Sequence, residues 1–196
     1  AARDIGAALE HVHSKRIINR DVKTANVGFN VHGDIKIYDL GLSRLLPADA
    51  DKDDTYKLSC VGTKNYMAPE IRNKDHYNMS VDVYSFGIVL WELMSLSTPM
   101  DSFYKPNKTN GPKNTNGSGS SKKYGIWLPL CECWPTAVQN LIQEATCHEP
   151  IRRPLMSQAR STLQQQLHDM GLVASGGTTR RKSSFSLECG HAEVDR

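Results

Sequence analysis

Within residues 18–26 stand an acid at Asp21, a lysine two positions on at Lys23 and an amide at Asn26, and a second acid follows at Asp39. Together these residue types suit the transfer of a phosphoryl group to a hydroxyl. A carboxylate can orient an alcohol and accept its proton, while a lysine neutralises charge on the moving phosphate. An amide oxygen and a second carboxylate are hard donors of the kind Mg²⁺ takes when it also holds nucleotide phosphates. Either acid by itself reads as an ordinary turn residue, because Asp is common in turns. The chemistry therefore rests on the set and on its order along the chain.

The flanking stretches supply elements able to hold such a set. Residues 2–15 carry Ile5, Ala8, Leu9 and Val12 at helical spacing, a one-sided apolar stripe that leads into residues 18–26. His11 and His13 are two apart and point to different faces, so they do not form a metal pair, and His13 is expected to be packed. Residues 27–30 and 34–38 are short β-like runs about a turn at 32–34, the pattern of a hairpin. Its closure carries Asn26 at one end toward Asp39 at the other. Residues 80–95 are apolar around most of a helical circumference, which predicts a helix at the centre of a domain. Asp82 near its start must then find partners, since an unpaired buried carboxylate is very costly. Helical periodicity resumes over 135–147 and 155–170, and Trp134 is expected in the core.

Residues 18–26 resemble the catalytic loop of protein kinases, in which His-Arg-Asp is followed by Lys and Asn, with Asn19 here in place of His. Asp39-Leu40-Gly41 resembles the Asp-Phe-Gly triplet with Leu for Phe. Three further matches fall in order: Gly62-Thr63-Lys64-Asn65-Tyr66-Met67-Ala68-Pro69-Glu70, Asp82-Val83-Tyr84-Ser85-Phe86-Gly87 and Arg152-Arg153-Pro154. The resemblance spans residues 1–170 and implies the C-terminal lobe of an α+β kinase-like fold. That lobe is mainly α, a helical bundle with a small β-hairpin carrying the catalytic loop and metal ligands.

By this resemblance Asp21 positions the substrate hydroxyl, Lys23 stabilises the transferred phosphoryl, and Asn26 and Asp39 hold Mg²⁺, with ATP bound through Lys23, Asn26 and Asp39. Arg20 is held ready for a phosphate on the activation segment, whose matching position is Ser59; Thr55 and Tyr56 are the alternatives, and Thr63 joins the regulatory set. Asp82 accepts backbone N–H groups of the loop around Asn19 and Arg20, and Glu70 pairs with Arg153. Lys23 and the Gly62-Thr63 pair resemble the Ser/Thr-specific group, and the layout around Trp91-Glu92-Leu93 and Arg153-Pro154 resembles its tyrosine-kinase-like branch. Protein substrates and ATP are the implied partners. Asn19 and Leu40 depart from an apolar column of the family, and Gly28 stands where a larger apolar residue usually supports the adenine ring.

The Gly-rich phosphate loop and strand lysine of the family have no match in the sequence, which opens on Ala1 inside an apolar-periodic segment. A piece of a longer kinase is expected, its N-terminal lobe supplied in cis, inactive by itself but active in the parent. A pseudokinase or scaffold lobe, used for protein binding, is the alternative. A third possibility, a helical adaptor with accidental matches, predicts that Asp21, Asn26 and Asp39 lie apart.

The remaining sequence sets bounds. The 196 residues suffice for one domain with a sizeable core, and a net charge of +3 is too small to argue for nucleic acid or membrane. The acidic run at 49–54 reads as solvated charge. Five cysteines show no metal-ligand spacing, Cys131-Glu132-Cys133 being too tight for a zinc knuckle, so reduced thiols are expected. No signal peptide or membrane segment is evident, which points to a cytoplasmic protein and leaves a nuclear or membrane-tethered parent open. Residues 101–125 are low-complexity and expected as a disordered insertion, and 171–196 as a disordered basic, Ser-rich tail whose Arg181–Phe185 stretch resembles a target of a basic-directed kinase.

Overall fold

The apolar stripe at the N-terminus folds as helix α1 (Ala2–Ser14), which buries Ile5, Ala8, Leu9 and Val12. This arrangement comes from a computed structural model that describes residues 1–47, 49, 54–99, 104–106, 124–126 and 128–172. Strand β1 (Ile17–Ile18) follows and pairs antiparallel with β4 (Arg44–Leu45), so the start of the catalytic loop is tied to the chain beyond Asp39. A 3₁₀ turn at Thr24–Asn26 leads into β2 (Val27–Phe29), which pairs antiparallel with β3 (Ile35–Ile37). The turn between them is organised by Asn30, whose Oδ1 accepts the N–H groups of His32 and Asp34, both at 2.9 Å. The hairpin expected over 27–38 is thus present, its first strand a residue shorter at the turn end and its second a residue shorter at each end.

Helix α2 (Pro69–Asn73) is short and starts on a proline, a residue whose fixed φ suits the first helical turn. Helix α3 (Ser80–Ser95) occupies the interior, with every residue from 81 to 92 buried. One apolar cluster joins it to α1, α4 (Thr136–Ala145) and α5 (Met156–Asp169) through Ile5, Leu9, Phe86, Val89, Leu141 and Leu163. On its other side Tyr84 and Ile88 pack with Ile18, Ile71 and Tyr77. Each such side chain contributes roughly 1.5–3 kcal/mol on full burial, so α3 is the element the domain can least afford to lose. The described structure is mainly helical with three two-stranded sheets, the architecture the sequence predicts.

Two expectations need correction. Cys131 and Cys133 are joined as a disulfide, not held as free thiols. A tight turn in which Trp134 N–H donates to the Cys131 carbonyl brings their Cα atoms to 5.2 Å, a contact that ligand-spacing rules do not test. The base of the 101–125 segment is also ordered: β5 (Tyr104–Pro106) pairs with β6 (Tyr124–Ile126). The rest of that insertion, most of the acidic run and the tail from residue 173 lie outside the described residues. Among the described residues no helix is long and apolar enough to cross a membrane.

Candidate active site

Asp82, in the first turn of α3, is fully buried and acts as the anchor for the loop above it. Its two carboxylate oxygens accept the N–H groups of Asn19 and Arg20, each at 2.8 Å, and its Oδ2 also meets His13 Nε2 at 2.9 Å. A single side chain thereby fixes α1, α3 and the start of the loop against one another. Asn19 is buried too; its Oδ1 accepts the Asp21 N–H at 3.0 Å, and its Nδ2 has no partner among the described residues. Arg20 takes a left-handed backbone (φ 69°), which turns the chain so that residues 20 and 21 face opposite ways.

On the inner side of that turn the Asp21 carboxylate accepts four hydrogen bonds from three residues. Lys23 Nζ donates to Oδ2 at 2.7 Å and Asn26 Nδ2 to the same oxygen at 3.2 Å, while Thr63 donates to Oδ1 through its hydroxyl at 2.6 Å and its N–H at 2.9 Å. Burial pushes the Asp21 carboxyl up, but the hydrogen bonds from Lys23 and Thr63 and the Lys23 charge outweigh it and hold the group below the ordinary carboxylate range. Lys23 Nζ also donates to the Thr63 hydroxyl at 2.9 Å, which closes a triangle of three side chains.

Thr63, grouped from sequence with the regulatory residues, lies within this cluster. It comes from a distant part of the chain, and Gly62 is what admits it. At φ 119° Gly62 runs so close to the loop that a Cβ would sit 2.5 Å from the Arg20 carbonyl oxygen. Any side chain there would push the segment, and Thr63 with it, away from Asp21.

Asn26 directs its amide nitrogen at the Asp21 side chain and carbonyl, which leaves its Oδ1 as an oxygen donor. Asp39 is exposed at the far end of the hairpin, beside Tyr38, whose N–H donates to the Asn26 carbonyl at 2.8 Å. One Asp39 oxygen accepts the Gly41 N–H at 3.1 Å, and among the described residues its carboxylate makes no bond to the Asp21 cluster. The hairpin thus sets the two oxygen donors at neighbouring positions of its backbone. An all-oxygen pair of one amide and one carboxylate fits Mg²⁺.

On the outer side of the turn, Arg20 reaches the activation segment. Its Nε donates to the Leu42 carbonyl at 2.6 Å, and its Nη1 lies 3.2 Å from the Ser59 hydroxyl and 3.3 Å from the Tyr77 hydroxyl. Ser59 is exposed, as is Thr55, while Tyr56 is tied by its backbone to Tyr77. Below the site Glu70 and Arg153 form a two-pronged buried pair, at 2.5 and 2.9 Å, and the Arg153 guanidinium stacks 4.9 Å from the Tyr84 ring centroid.

One part of the support escapes the motif reading. The Tyr66 hydroxyl lies 2.9 Å from both carboxylate oxygens of buried Glu92 and 3.3 Å from Thr24 Oγ1, which locks the 3₁₀ turn before Asn26 to α3. Burial, reinforced by Glu92, pushes the Tyr66 hydroxyl up to about 12, and burial pushes the Glu92 carboxyl above its usual range. The available signal is a second carboxylate, besides Asp82, in a largely apolar helix, which demands a donor.

A catalytic loop hung from the central helix and closed by an activation segment defines a protein kinase catalytic domain. Residues 1–165 match the protein kinase domain family model, and the chain belongs to that family. A probable serine/threonine-protein kinase of Dictyostelium discoideum is 32% identical over 90% of the chain, covering 18% of that relative. A mitogen-activated protein kinase kinase kinase of Caenorhabditis briggsae is 39% identical over 50% of the chain and 11% of its own length. The cAMP-dependent protein kinase type 3 of Saccharomyces cerevisiae is 42% identical over 54% of the chain and 24% of its own length. The chain spans less than a quarter of each of these relatives.

Proposed function

We propose that this chain is the catalytic C-terminal lobe of a protein serine/threonine kinase that moves the γ-phosphoryl of ATP to Ser or Thr hydroxyls of protein substrates. The observation that carries the reading is the single hydrogen-bonded group of Asp21, Lys23, Asn26 and Thr63. Asp21, held ionised, orients the acceptor hydroxyl and takes its proton as the new bond forms. Lys23, bonded to Asp21, would neutralise charge on the transferred phosphate. Asn26 Oδ1 and Asp39 would hold Mg²⁺, which neutralises phosphate charge when bound. A Gly-rich loop and strand lysine, on a lobe outside these 196 residues, complete the grip on the nucleotide. Thr63 against both Asp21 and Lys23 favours Ser/Thr over Tyr acceptors, and the Caenorhabditis relative agrees with the tyrosine-kinase-like branch.

The test is phosphotransfer by the full-length protein from Mg-ATP to mixed Ser, Thr and Tyr peptide acceptors. Phosphoserine and phosphothreonine as products support the reading; ATP binding without any transfer sinks it and favours the scaffold alternative, which draws on Asn19 with its unpartnered Nδ2, on Leu40 and on Gly28.

Regulation follows from the outer side of the loop. A phosphate on Ser59 would stand beside Arg20 Nη1 and gain charge-assisted bonds worth roughly 1.5–3 kcal/mol each. Ser59→Ala in the full-length protein is therefore expected to lower activity about tenfold relative to phosphorylated wild type, the factor that 1.4 kcal/mol corresponds to. Phosphopeptide mapping with parallel rate measurements checks this, and equal rates in the two proteins rule Ser59 out.

A further inference from the structure

Gly28 and Tyr38 lie on the same outward face of the β2–β3 hairpin. In the strand register Gly28 stands opposite Lys36, which makes Tyr38, two residues on, its diagonal neighbour. The opposite face carries Val27, Ile35 and Ile37 into the core. The Tyr38 ring leans across the glycine: a Cβ built on Gly28 would meet Tyr38 Cε2 at 2.9 Å, with Cδ2 at 3.7 Å and Cζ at 3.9 Å. The aromatic ring thus fills the volume that a side chain at position 28 would take. It is nonetheless 49% exposed, although a ring of this size is ordinarily well buried.

The ring's place in the site gives that exposure a use. Tyr38 donates its N–H to the Asn26 carbonyl and is followed directly by Asp39, so it adjoins both oxygen donors offered to the metal. A half-open aromatic ring beside a phosphate-binding end is suited to a heteroaromatic base, because stacking needs only a π-face on each partner. We propose that Tyr38 is the platform on which the purine of the nucleotide rests, in place of an aliphatic side chain at position 28. The proposal rests on ATP being the ligand of this site, and it assigns Tyr38 a binding role, not a part in phosphate transfer.

The test measures Mg-ATP affinity by titration calorimetry on the full-length protein and four variants. Tyr38→Phe keeps the ring and is expected to bind within twofold of wild type. Tyr38→Ala removes the platform and weakens binding about tenfold, in the middle of the range for loss of one base-stacking side chain. Gly28→Leu displaces the ring through the 2.9 Å contact and weakens binding similarly. Gly28→Leu combined with Tyr38→Ala is expected to recover affinity to within about threefold of wild type, since the leucine then supplies the surface. Recovery in the double variant also shows that the single losses are not unfolding. Equal affinity for Tyr38→Ala and wild type, tighter binding by Tyr38→Ala, or no ATP binding by the wild type would each overturn the proposal. Transfer activity is read separately: the expected affinity pattern with no phosphotransfer leaves the platform standing and removes only the kinase reading.

Discussion

Full-length protein carrying Asp21→Asn is expected to transfer phosphate about 10²–10⁴-fold more slowly than wild type, the range for loss of a positioned acid–base group. The substitution is chosen because the amide has nearly the volume of the carboxylate, and its Oδ1 can still accept both bonds from Thr63. What disappears is the negative charge, the capacity to take a proton, and the Oδ2 acceptor that Lys23 and Asn26 now share. The KM for ATP should change little, because Asn26 and Asp39 keep their oxygens. A slow step with intact ATP binding therefore marks Asp21 as acting on the acceptor hydroxyl, whereas equal rates in the two proteins remove it from the mechanism. The pH dependence offers a second readout. The Asp21 carboxyl is held below its usual value of 3.8, so the stability and the ionised form it contributes are present above that value and are lost as pH falls through the folded pKa. No fall in rate between about pH 7 and pH 5 should trace to this group, since ionisation is complete well above the pKa.

The second large effect concerns stability. Truncating either Glu70 or Arg153 to Ala is expected to cost about 3–5 kcal/mol, as found when one partner of a buried ion pair is removed. The Arg153 side chain is wholly buried, and besides Glu70 it donates to the carbonyls of Cys147 at 2.8 Å, Ser80 at 3.1 Å and His148 at 3.3 Å. Without Glu70 its charge has, among the described residues, only neutral carbonyls and the Tyr84 ring for company. Domains are stable by only about 5–15 kcal/mol in total, so this is a large share. In a domain of this size the midpoint of thermal unfolding should drop by about 10 °C. Removing both partners should cost less than the sum of the two single changes, because no stranded charge remains. Additive losses would mean that the two groups do not act as a pair.

Much of this organisation is legible in the chain. The all-round apolar character of residues 80–95 marks α3 as the interior element, and an acid at position 82 within it has to be spoken for by backbone donors. The hairpin is equally readable, since short alternating runs about a polar turn leave few other choices. Contacts made by loop closure over long separations are another matter. Thr63 meets Asp21 across 42 residues, and the Gly62-Thr63 motif by itself does not say which side chain its hydroxyl meets. The deciding feature is the positive φ of Gly62 against the Arg20 carbonyl, a tertiary fact. The same holds for Tyr66 and Glu92, which meet between the activation segment and α3. Gly28 shows the reverse case: read alone it suggests a looser nucleotide site, and only the neighbouring strand reveals the tyrosine that replaces the missing side chain.

The attachment of the loop through Asp82 has a mechanical meaning. Asn19 and Arg20 are tied by their amides to a residue more than sixty positions away, in the part of the molecule with the least room to move. Segments that perform chemistry are commonly drawn from the looser parts of a protein, where opening is cheap. The carboxylate proposed to react, Asp21, directly follows those two held amides, so it borrows its rigidity from the deepest helix and not from the surface loop it belongs to.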